Sequence, residues 1–68
     1  MDTETLNLSI RKFLKTAGVG SQREIEQAIA KGISSGQISG NETLAATLTL
    51  RIAALQLEVQ YQGEITLQ

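Results

Sequence analysis

The chain has 68 residues, 41% of them hydrophobic and 19% charged, with a net charge of -1 and no Pro, Cys or His. That length fits one small domain, and the composition is that of a folded chain rather than a disordered one. Without imidazole or thiolate there is no usual ligand set for zinc, copper, haem or iron–sulfur clusters and no disulfide, so neither a metal site nor a cofactor is expected.

In chain order, the first predicted helix spans residues 3–17. Leu6, Ile10, Phe13, Leu14 and Ala17 recur on one helical face, and the order from Asp2 and Glu4 to Arg11, Lys12 and Lys15 complements the macrodipole. Gly18 reads as its C′ stop. Ser21-Gln22-Arg23-Glu24 has capping-box spacing and opens a second predicted helix over 21–35, with Ile25, Ala28, Ile29, Gly32 and Ile33 on its buried face. Gly36 closes it. Gly32 inside this helix either allows a neighbour's backbone close approach or marks a fraying last turn.

A polar connector follows, interrupted by Ile38, and from Leu44 the hydrophobic period becomes two. Strands are predicted over 43–52, 56–61 and 65–68. Apolar faces must match across each pair, which limits the register. A two-residue turn at Ala53-Ala54 needs positive φ that Ala disfavours, so a four-residue loop Ala53–Gln56 is preferred, pairing Ile52 with Leu57 and Arg51 with Glu58. At the next turn a three-residue loop Gln62–Glu64 pairs Tyr61 with Ile65. The predicted fold is therefore α+β: a two-helix hairpin on one face of a three-stranded antiparallel meander, in the order ααβββ, forming a single domain over residues 1–68.

The candidate sites are surfaces rather than catalytic constellations. Ala17-Gly18-Val19-Gly20-Ser21 looks like an anion-binding turn, but no strand precedes it and Glu24 and Glu26 follow, so a tight inter-helix turn explains it better. Leu8 lies off the core face with Arg11, Lys12 and Lys15 around it at i+3, i+4 and i+7. With Arg23 these form a candidate interaction surface, against the plainer reading of a solvated face whose stems cover the Leu. Ser9, Ser21, Ser34, Ser35 and Ser39 have no His to activate them, and Glu24 and Glu26 do not converge as an acid/base pair, so no enzyme is expected. The outer sheet face lacks aromatics for base stacking. The edge of strand 43–52, carrying Ala45, Thr47, Thr49 and Arg51, lacks Pro and Lys and is a candidate dimer edge; the alternative is an edge covered by the connector.

Leu8-Ser9-Ile10-Arg11-Lys12-Phe13-Leu14-Lys15, then Gly18-Val19, then Ser21-Gln22-Arg23-Glu24-Ile25-Glu26 resembles a family of short uncharacterised bacterial proteins. The resemblance continues from Asn41-Glu42-Thr43-Leu44 to Gly63-Glu64-Ile65. It implies a bacterial single-domain protein of unknown function and carries over no catalytic or cofactor residue.

Asp2 and Glu4 stand where a secretory signal would be positive, and no apolar run of membrane-span length follows, so the expected location is the cytoplasm. A core in a chain below roughly 70–80 residues rarely supplies more than about 3–5 kcal/mol, which points to self-association. The expected function is a non-catalytic module that binds a protein partner or a second copy of itself. The alternative is a nucleic-acid-associated regulator using Arg11, Lys12, Lys15 and Arg23 on phosphates, a class against which the net charge argues.

Overall fold

The computed structural model describes Met1–Gln68 as two compact units, Met1–Gln37 and Ile38–Gln68. The first unit is built on one helix, α1, over Thr3–Ser34. Asp2 is its N-cap: the carboxylate accepts from the Glu4 and Thr5 backbone N–H groups at 3.0 and 3.3 Å and from the Thr5 hydroxyl at 2.9 Å, satisfying donors that have no partner inside the helix. These bonds hold the Asp2 carboxyl below its ordinary pKa, the Thr5 hydroxyl being the largest contributor.

The far end closes as a Schellman turn. Gln37 N–H donates to Gly32 C=O at 2.9 Å and Gly36 N–H to Ile33 C=O at 3.1 Å, while Gly36 takes φ 81, a left-handed conformation that glycine adopts without a Cβ penalty. The predicted stop at Gly36 is thus observed. The predicted break at Gly18 is not, because Gly18 and Gly20 lack positive φ and continue the helix.

Magnitudes explain why α1 stays whole. Two interior glycines cost about 2 kcal/mol together relative to Ala, whereas a break demands a second helix nucleation, on the order of 4 kcal/mol at a nucleation constant near 10⁻³. The chain also has no Pro to force a break. Ser21 and Glu24 therefore lie mid-helix, where the backbone donors that a capping box would satisfy are already bonded one turn back. The anion-turn and inter-helix-turn readings of residues 17–21 fall with the break, since no helix begins there.

The second unit is an antiparallel hairpin of β1, Thr43–Ile52, and β2, Leu57–Thr66. Its register pairs Ile52 with Leu57 and Arg51 with Glu58, as the four-residue loop requires. That loop is a 3₁₀ turn over Ala53–Leu55 followed by Gln56 at φ 52, with Gln56 N–H donating to Ala53 C=O at 3.0 Å. The left-handed position falls on a residue without glycine's freedom, a local cost of about 1 kcal/mol.

The predicted turn at Gln62–Glu64 does not form, so there are two strands and not three. Leu57, Val59, Tyr61 and Ile65 all occupy odd positions, and the alternation runs through Gly63 without changing face. Gly63 pairs with Ala46 and Ile65 with Leu44. The predicted third strand is instead the end of β2, where the ladder extends past the strand as Leu67 N–H donates to Glu42 C=O at 3.1 Å. The observed architecture is one helix and one two-stranded sheet, in place of the two-helix hairpin on a three-stranded meander.

No hydrophobic residue of the chain is buried; Gly32 is its one buried position. Thirteen large apolar side chains are exposed, among them Phe13 at 57%, Leu14 at 54% and Tyr61 at 59%.

Candidate interaction surfaces

An unbroken helix changes what the cations can do. At about 100° per residue, Leu8, Arg11, Lys12, Lys15 and Arg23 share one side of α1, with Arg23 in line with Lys12 three turns away. Two predicted helices would have separated Arg23 from the others; the continuous helix joins all five. A shallow groove on this side is lined by Lys15, Thr16, Val19, Gly20 and Arg23. Gly20 leaves the space open, since a Cβ there would meet nothing within 4 Å.

These cations make no ion pair, for the salt bridge of the chain is Arg51 to Glu58 at 2.8 Å, between opposed residues of the hairpin. Both members of that pair are more than half exposed, so it aligns the strands more than it stabilises them.

Roughly opposite the cations, Leu6, Ile10, Leu14, Ala17, Ser21, Ile25 and Ala28 follow one another at spacings of four, four, three, four, four and three residues, a stripe along most of α1. Leu6 is 41% and Ile10 47% exposed. Leu8, at 58%, is therefore not singled out by exposure: the face predicted to be core is open as well. Its distinction is the ring of positive charge around it.

On the hairpin, Leu44, Ala46, Leu48, Leu50 and Ile52 of β1 share a face with Leu57, Val59, Tyr61, Gly63 and Ile65 of β2. The opposite face carries Ala45, Thr47, Thr49 and Arg51, all exposed. Each strand is paired on one side, which leaves the predicted dimer edge of β1 unpaired.

One polar cluster escaped the sequence reading. The Glu42 carboxylate accepts from the backbone N–H groups of Ser39 at 2.8 Å, Gly40 at 2.9 Å and Asn41 at 3.2 Å, and from the Ser39 hydroxyl at 3.1 Å. These donors, the Ser39 N–H first, pull its pKa from 4.5 to about 2. Gly40 at φ 104 permits the fold of this turn. The available signal was the spacing Ser39-x-x-Glu42, the same pattern that misled at Ser21-x-x-Glu24. The cluster shapes the entry to β1.

No helix is long and apolar enough to cross a membrane. The model of a family of unknown function, DUF6494, matches residues 1–68, and the chain belongs to that family. No curated protein and no solved structure matches it.

Proposed function

We propose that this member of DUF6494 is a non-catalytic interaction module whose apolar faces are completed by another polypeptide. The observation that carries this reading is the lack of any buried hydrophobic side chain. Thirteen large apolar side chains are exposed instead, and clustered apolar surface marks interaction sites in soluble proteins. Native mass spectrometry of the gently purified full chain tests it. The expected result is an assembly heavier than one 7.3 kDa chain; a bare monomer that unfolds cooperatively overturns it.

Nucleic acid is the second reading, favoured by the unpaired cations of α1, which carries five Lys and Arg against three Glu. Its signature is distinct: binding falls by about 0.9 log unit per log unit of salt for each duplex phosphate neutralised, whereas apolar association is insensitive to salt or strengthened by it.

A further inference from the structure

Consecutive residues of an antiparallel ladder direct their backbone N–H and C=O groups alternately toward and away from the paired strand. The bond from Leu67 N–H to Glu42 C=O sets the phase. With the register running from Thr43–Thr66 to Ile52–Leu57, the even residues of β1 bond to β2, and Thr43, Ala45, Thr47, Thr49 and Arg51 send their backbone groups outward. On β2 the outward set is Glu58, Gln60, Gln62, Glu64 and Thr66. Neither ten-residue strand contains the Pro or Lys that commonly blunts an edge.

We propose that β1 pairs antiparallel with β1 of a second copy of this chain, about a two-fold axis at Thr47, to form a four-stranded sheet in the order β2-β1-β1-β2. This rests on the interaction reading above and names a second copy as the partner at the edge, where pairing joins the apolar faces of two hairpins into one continuous face. Every apolar residue keeps its face in this register: Leu50 meets Leu44 of the second copy and Leu48 meets Ala46. Arg51 meets Thr43, and the two Arg51 side chains lie eight residues apart, about 27 Å, so the one charge on β1 is not set against itself.

The other edge carries two like charges, Glu58 and Glu64, among its outward residues, where β1 carries the single charge of Arg51. A symmetric β2–β2 pairing about Tyr61 sets Glu58 directly opposite Glu64 twice, a like-charge contact that destabilises sheets. Gly63 weakens that strand further. A lone two-stranded hairpin is marginal in water, and doubling it passes the three strands that independent stability requires.

The natural lack of cysteine allows a direct test on the full chain. Thr47→Cys places two thiols across the axis at a Cα separation of about 5.5 Å, within disulfide range, so mild oxidation is expected to yield a covalent dimer, with Gln62→Cys remaining unlinked. Thr47→Pro removes an outward N–H without touching the hairpin's own ladder, and loss of the dimer is expected; Gln62→Pro is expected to retain it. If Thr47→Pro fails to fold by circular dichroism, the cysteine pair decides. Linkage through position 62 instead of 47, or linkage of position 47 to a different protein, overturns the proposal. An assembly in which position 47 does not link overturns the strand pairing alone; a cooperatively folded monomer overturns both the pairing and the interaction reading.

Discussion

Glu42 concentrates more polar contacts than any other side chain of this protein, and its charge has a direct consequence for stability. Its carboxyl sits at about 2 in the folded chain against an ordinary 4.5, so the ionised form is the one that folding favours. The resulting stabilisation is complete above the unfolded value and disappears as pH falls from about 4.5 through about 2. Asp2 shifts in the same direction. The difference between wild type and Glu42→Gln therefore isolates the turn: melting temperatures measured from pH 6 to 2 are expected to converge at the acid end, with wild type higher at neutral pH. Curves that stay parallel across that range would remove Glu42 from the account.

At the scale of elements, α1 and the hairpin differ in how much local pattern could determine. The first hairpin turn was legible because two facts agreed, the alternation of Leu50, Ile52, Leu57 and Val59 and the reluctance of Ala53 and Ala54 to take positive φ. At Gly63 composition suggested a turn, and parity allowed both a three-residue turn and an unbroken strand; the ladder runs on, with Gly63 opposite Ala46. In α1, Gly18, Gly20 and the Ser21–Glu24 spacing form a plausible break. Such signals are local, whereas the penalty for renucleation belongs to the whole helix. The candidate surface was legible in its residues, Leu8, Arg11, Lys12, Lys15 and Arg23, but their placement on one side depended on continuity that no local signal reported. Alanine separates the two pictures of this segment. A Cβ at Gly18 or Gly20 meets nothing within 4 Å, so Gly18→Ala and Gly20→Ala are each expected to stabilise the chain by about 1 kcal/mol in urea unfolding. Gly36→Ala is expected to destabilise it, given φ 81 there. A helix break at Gly18 would reverse the sign at that position.

For the whole molecule, the apolar residues were legible as faces within each unit, and what failed was the division of those faces into two helices and three strands. Small chains have few ways to make a core, and this one has neither disulfide nor Pro to lower the entropy of its unfolded state. Mass action then governs stability. The melting temperature of the wild-type chain is expected to rise with protein concentration, and Leu14→Asp or Leu48→Asp to reduce that dependence. A melting temperature constant over a hundredfold dilution would show that folding needs no second molecule.

Tyr61 lies on the apolar face of the hairpin, 59% exposed, and is the only tyrosine in a chain without tryptophan. The face therefore carries its own optical label. Covering it transfers the sole near-ultraviolet chromophore of appreciable strength from water to an apolar environment, so absorbance and emission follow its occupancy in the unmodified protein.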